Sequence, residues 1–176
     1  MIKTSEKVEV LDYPWGFRLR TTLYNFIEFD KKKGYRLCTQ TIDPKTGRLC
    51  APKKSTYYRL IVRYYNEDGH IKALYFSFNG VEEINKAAKF ISENIELFDN
   101  NELQYFYSEL RMFAIVSLKA MVVYCGSKFE DVKPLFNPFI ELCEKGLSDG
   151  RNYFNELHLD YEAIEATKDV NYKPFG

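Results

Sequence analysis

At Asn79-Gly80 the apolar pattern of this chain changes period, and a fold must accommodate both patterns to bury both halves. Before that point apolar and polar residues alternate at every second position, as in half-buried strands. After it, apolar residues recur three and four apart, as in amphipathic helices. A run of strands followed by a run of helices predicts an α+β fold. The expected form is an N-terminal antiparallel β-meander of four to five strands packed on three to four C-terminal helices. The chain has 176 residues, 45% hydrophobic and 28% charged, which suits one globular domain. Its expected parts are a basic β part at 1–79, an acidic helical part at 80–168 and a tail at 169–176.

Charge is sorted by the same seam. Residues 1–79 hold 15 Lys and Arg against 8 Asp and Glu, a net of +7; residues 80–176 hold 10 against 17, a net of −7. The overall charge of zero conceals this asymmetry, which points to a polyanionic partner for the first half.

Within the first half, residues 6–11 read as a short strand or lead-in, closed by the turn-like segment 12–16. Residues 17–29 read as one long strand, bent or bulged near Asn25. Phe17, Leu19, Leu23, Ile27 and Phe29 fall on one face, with Arg18, Arg20, Tyr24 and Glu28 on the other. A hairpin loop at 30–34 leads to a strand at 35–42. The turn Asp43-Pro44-Lys45-Thr46-Gly47 follows, then a short strand at 48–51 and a loop at 52–55. Residues 56–65 form a clean strand. Tyr58, Leu60, Val62 and Tyr64 face one way, and Tyr57, Arg59, Ile61, Arg63 and Tyr65 the other. A turn at 66–69 returns the chain into a strand at 71–78, with Leu74, Phe76 and Phe78 expected on the inner face beside Leu60 and Val62.

In the second half Asn79 is positioned as an N-cap, with Glu82 and Glu83 in the first helical turn. Asn100 or Asn101 caps a helix over 101–125 that is apolar nearly all round beyond Phe113. Such a helix is central or meets another chain. Gly126 ends it. Pro134 and Pro138 divide 128–146 into a turn of helix and a short helix, and a last amphipathic helix spans roughly 150–167. The longest apolar stretch, 112–125, is interrupted by Ser117 and Lys119 and is shorter than the roughly 20 residues that span a bilayer. No apolar segment follows the first charges, so the expectation is a cytoplasmic protein with reduced thiols and no membrane partner.

The chemistry concentrates in the basic half. Alternation puts Arg18, Arg20, Arg59 and Arg63 on one side of two strands with Tyr24, Tyr57 and Tyr65, and register brings Arg36 and Lys72 near them. Arginine interleaved with tyrosine suits single-stranded nucleic acid or RNA: cations follow phosphates and rings stack on bases. In a simple meander the loops at 30–34 and 52–55 share one end, so Lys31, Lys32, Lys33, Lys53 and Lys54 would form a phosphate-binding knob. The same residues also describe a solvated face and hairpin tips that oppose aggregation.

Enzyme signatures are absent from the sequence. There is no phosphate loop of the G-x-x-x-x-G-K-S/T type, no G-x-S-x-G elbow and no H-E-x-x-H. His70 and His158 have no metal-ligand spacing, and a pairing of Cys38 or Cys50 with His70 lacks an activating context. No catalytic residue, cofactor or metal is assigned. The expected function is therefore a non-catalytic nucleic-acid-binding protein. The alternative is a small phage- or mobile-element-type interaction module that inhibits or remodels a host nucleoprotein complex. It would act through the basic sheet or through the acidic helices that carry Glu82, Glu83, Glu93, Glu96, Asp99, Glu102 and Glu109. A head-to-tail homo-oligomer of oppositely charged halves is also compatible with the pattern.

Overall fold

The computed structural model describes residues 16–173, with side chains described through 168, so the expected strand at 6–11 lies outside the described residues. The α+β class holds. Strands β1 (Gly16–Arg20), β2 (Asn25–Asp30), β3 (Gly34–Thr39) and β4 (Lys53–Lys54) form one antiparallel sheet, while β5 (Arg59–Tyr65) and β6 (Ile71–Ser77) form a separate hairpin. Helices α1 (Val81–Glu93), α2 (Asn100–Cys125), the single turn α3 (Phe129–Val132), α4 (Asn137–Leu147) and α5 (Tyr153–Asn171) follow. A short β7 (Tyr172–Lys173) then pairs with β1, giving the sheet order β4-β3-β2-β1-β7.

The expected long strand at 17–29 is instead a hairpin. Its turn is tied by Thr21 N–H to Asn25 O at 2.9 Å and by Asn25 N–H to the Thr22 hydroxyl at 3.1 Å. The last opposed pair, Arg20 and Phe26, is six residues apart, so alternation keeps its phase across the turn and cannot reveal the break. Phe17 faces Phe29 and Leu19 faces Ile27, all four buried, whereas Leu23 in the turn is exposed rather than internal. The expected strand at 48–51 reduces to one bridge between Ile42 and Leu49, below the turn closed by Gly47 N–H to Asp43 O. Lys53 and Lys54, expected in a loop, pair with Thr39 and Cys38. The tail expected at 169–176 continues α5 to Asn171 and then forms β7.

Helix boundaries shift by single residues for identifiable reasons. α1 is capped by Gly80 with no side-chain hydrogen bond, because the Asn79 amide donates instead to Lys32 O at 3.4 Å. α2 starts one residue earlier than expected because Asp99, not Asn100 or Asn101, caps it. The Asp99 carboxylate accepts from Glu102 N–H at 2.8 Å and the Glu102 carboxylate accepts from Asp99 N–H at 3.1 Å. Gly126, left-handed at φ 62°, ends α2. No residue of α2 from Glu109 onward is classed as exposed, which bears out its central place.

Core packing joins the two sheets to α2 through rings. Tyr35 of β3 stacks on Tyr58, which precedes β5, at 4.9 Å between centroids. It also stacks on Phe113 of α2 at 5.4 Å, and Phe113 stacks on Phe78 at 4.7 Å. Leu60, Val62 and Phe78 are fully buried, while Leu74 and Phe76 are half-buried. On the far side, α5 holds α2 through Tyr107 Oη donating to Glu156 at 2.9 Å and Arg111 pairing with Asp160 at 3.2 Å.

Gly34 carries the close approach of the sheets. Its φ is +97°, and a Cβ there would stand 2.9 Å from Phe78 O. Gly34→Ala is expected to destabilise the fold by about 2 kcal/mol or more, from backbone strain and steric overlap together. Urea denaturation of the two proteins checks this.

Candidate nucleic-acid interface

The two strand sets share one outer face through Tyr57, where the side-chain phase shifts by one residue relative to Lys54. Ser55 N–H donates to Leu37 O and Tyr58 N–H to Tyr35 O, both at 2.9 Å, so residues 55–58 run along β3 before entering β5. Tyr58 turns inward onto Tyr35. Tyr57 turns outward, where the Arg36 guanidinium lies over its ring at 4.5 Å and Lys33 Nζ at 5.7 Å. Arg59, Ile61, Arg63 and Tyr65 keep the outward phase of Tyr57 along β5.

At the first sheet the outer face is organised by a carboxylate. Glu28 on the central strand β2 is buried, and three cations converge on it: Arg36 at 2.9 Å, Lys54 at 3.5 Å and Arg18 at 3.7 Å. The register makes Arg18, Glu28 and Arg36 one cross-strand row. In the next row Phe26 lies under Arg18 at 5.4 Å, and the Cys38 thiol donates to Glu28 at 3.6 Å. Burial pushes the Glu28 carboxyl upward, but the Arg36 hydrogen bond and the charges of Arg36, Lys54 and Arg18 outweigh it and hold the group below its ordinary range. A shallow cavity of about 70 Å³ opens beside this cluster, lined by Arg18, Arg20, Phe26, Gln40 and Pro52.

On the hairpin the outer face is open. Arg59 lies over Tyr75 at 5.0 Å, and Tyr65, Ile71 and Tyr75 are 65%, 63% and 57% exposed. Neither Arg59 nor Arg63 has an ion-pair partner among the described residues.

Arg18, Arg20, Arg36, Lys54, Tyr57, Arg59, Arg63 and Tyr65 therefore share this surface, with Lys33 at its margin. The remaining expectations divide. Arg18 and Arg20 lie in one sheet and Arg59 and Arg63 in another, joined through Tyr57 rather than sitting on neighbouring strands. Lys72 pairs across from Tyr64 and so projects to the opposite face from Arg63 and Tyr65. Lys53, next to Lys54, likewise points away from Glu28. The five-lysine knob does not form: Lys31, Lys32 and Lys33 occupy the turn between β2 and β3, whereas Lys53 and Lys54 pair with the opposite end of β3. A meander would have set both loops at one end, but the detour through 40–52 brings β4 back at the far end. Lys32 and Lys33 are fixed in their turn by N–H bonds to the Asp30 carboxylate at 2.8 and 3.0 Å. Tyr24 sits exposed in the turn between β1 and β2.

Sequence reasoning placed Glu28 on this face without seeing its role. An acidic residue at an outward position between two outward arginines is the signal that could have found it. Phe26, Ile71 and Tyr75 were missed because apolar residues on an outward phase read as errors of alternation.

Burial and the neighbouring Glu28 push the Cys38 thiol upward, the opposite of an activated nucleophile, and burial likewise pushes Cys143 upward. Among the described residues no group of three or more His, Cys, Asp and Glu is placed to hold a metal ion, and no helix is long and apolar enough to cross a membrane. Several acidic side chains have local roles: Asp99 and Glu102 cap α2, while Glu83 pairs with Lys86 and Glu93 lies near Lys89. No protein-family model, curated protein or solved structure matches this chain.

The Glu28 cluster yields a pH test. A carboxyl whose folded value lies below its unfolded one stabilises above the ordinary glutamate range near 4.5, and that stabilisation falls away as pH drops through the lower folded value. Glu28→Gln is expected to cost about 1–3 kcal/mol at neutral pH. The gap from the unsubstituted protein should close only as pH falls through the lowered folded value, where Glu28 itself becomes neutral. Stability measured against pH for both proteins decides it.

Proposed function

We propose that this protein is a non-catalytic, cytoplasmic nucleic-acid-binding protein that takes single-stranded nucleic acid, RNA included, along the joined outer faces of the sheet and the hairpin. The observation that carries the reading is the continuity at Tyr57, which links the Glu28 cluster on one side to an open ribbon of arginine and tyrosine on the other. Glu28 holds Arg18, Arg36 and Lys54 in fixed geometry. Arg59 and Arg63 have no carboxylate to compete with a phosphate. Tyr65 and Tyr75 offer exposed rings for base stacking.

A second reading keeps the surface and changes the partner: the protein component of a nucleoprotein complex, contacted by an interaction module of the phage or mobile-element type. Exposed Ile71 favours it, because an aliphatic side chain next to two tyrosines suits a protein contact better than a phosphate chain.

In a mobility-shift assay at low salt, a single-stranded RNA oligomer should be retarded by the protein, and added salt should weaken the complex. Arg59→Glu with Arg63→Glu should abolish the shift, since neither side chain supports the fold through an ion pair. Tyr65→Ala should weaken binding by about fivefold or more, the equivalent of roughly 1 kcal/mol per stacked base. A shift unchanged by the double reversal rejects the site. Absence of any shift, with a host protein retained after nuclease treatment, favours the second reading.

A further inference from the structure

The hairpin has an edge that nothing in the described fold pairs. Asn66 N–H donates to His70 O at 2.9 Å, which sets the phase of the ladder below it. With the one-to-one register from Tyr65–Ile71 to Arg59–Ser77, Leu60, Val62 and Tyr64 turn their N–H and C=O groups toward β6. Arg59, Ile61, Arg63 and Tyr65 therefore turn theirs to the other side. There, among the described residues, they meet no hydrogen-bond partner. β4 is likewise the last strand of its own sheet.

Open edges recruit strands, and proteins commonly blunt them with proline, bulges or charge. β5 has no proline and no bulge over its seven residues. Its charges are all of one sign. The residues that offer the edge hydrogen bonds are the ones whose side chains, Arg59 and Arg63, stand on the outer face. Self-pairing is disfavoured: an antiparallel copy with its two-fold axis at Ile61 sets Arg59 against Arg63, and one with its axis at Arg63 sets that residue against itself. An acidic strand meets the reverse situation, because residues directly opposite on paired strands share a face at about 5 Å.

We propose that the free edge of β5 accepts an extended acidic segment of a partner protein as an added strand. Two carboxylates four residues apart lie opposite Arg59 and Arg63, with an apolar side chain between them beside Ile61. Main-chain hydrogen bonds supply affinity and the alternate side chains supply selectivity. The inference shares Arg59 and Arg63 with the nucleic-acid reading and differs from it in using the edge amides.

The probe is the blocked peptide Thr-Glu-Thr-Val-Thr-Glu-Thr-Val, added to the full chain, with amide hydrogen exchange read residue by residue. The amides of Arg59, Ile61, Arg63 and Tyr65 should slow at least tenfold, while those of Leu60, Val62 and Tyr64, already bonded to β6, change little. The same peptide N-methylated at its Glu and Val residues should give no protection, and neither should a version with Lys in place of Glu. Arg59→Glu with Arg63→Glu should reverse the preference toward the Lys peptide. Unprotected edge amides at saturating peptide, or equal protection by the N-methylated peptide, overturns the proposal. Protection by a single-stranded RNA oligomer and not by the peptide also overturns it while sustaining the nucleic-acid reading. Peptide protection without any RNA shift does the reverse.

Discussion

Everything on the outer surface depends on a double stack where the chain passes from the sheet to the hairpin. On the inner side Tyr35 and Tyr58 lie ring on ring, and on the outer side Arg36 lies over Tyr57. Consecutive residues on two adjacent segments thus grip one another on both faces, with the hydrogen bond from Tyr58 to Tyr35 between them. Each stack is worth about 1 kcal/mol beyond its buried area. The larger consequence is geometric. The phase shifts by one residue between Lys54 and Tyr57, both on the outer side, and alternation then runs from Tyr57 to Tyr65, so two separate sheets present one surface. Phe78 and Phe113 extend the inner stack into α2, and Gly34 allows the backbones to approach closely enough for it.

Electrostatics on this surface follow largely from where Glu28 sits. A lone buried Glu28 would be costly; three cations around it make it a fixed centre instead. The cations are then constrained as well, so Arg18, Arg36 and Lys54 are partly committed to the fold. The same residue type is uncommitted on β5, where Arg59 and Arg63 lack any carboxylate partner in the described structure. The charge asymmetry between the halves of the chain is therefore not uniform in meaning: part of it is internal structure, and part of it is available to a partner.

Periodicity made much of this legible. The switch at Asn79-Gly80 marks where strands give way to helices, and the phase of 56–65 placed Tyr58, Leu60 and Val62 inside and Tyr57, Arg59 and Arg63 outside. Alternation fails to mark a turn whose opposed residues are an even number of positions apart, as Arg20 and Phe26 are across the turn at 21–24. It also fails where hydrogen bonds are made out of register with the hydrophobic pattern. The return of β4 to the far end of β3 is such a case: two lysines with no apolar neighbour carry no strand signal, yet backbone pairing to Cys38 and Thr39 fixes them. The pairing of β7 with β1 is likewise a long-range event with no local cause. For the site, residue types were readable, but sharing of Glu28 by three strands was not, because it depends on register across β1, β2, β3 and β4 together.

The hairpin is where fold and function make the fewest competing demands. Its inner face is occupied: Leu60 and Val62 are buried, and Tyr64 packs on Phe90 of α1 at 5.4 Å. Its outer face and one edge carry exposed rings, an exposed isoleucine and two unpaired arginines, none of which the core needs. A surface maintained only for solubility would more simply carry lysine and glutamate in these positions. Tyrosine loses little conformational freedom on contact, and the arginine guanidinium is a preorganised planar fork, which suits a surface that binds. On the proposed reading a partner accounts for the residues of β5 and β6, whereas ion pairing to Glu28 commits Arg18, Arg36 and Lys54 in part to the fold.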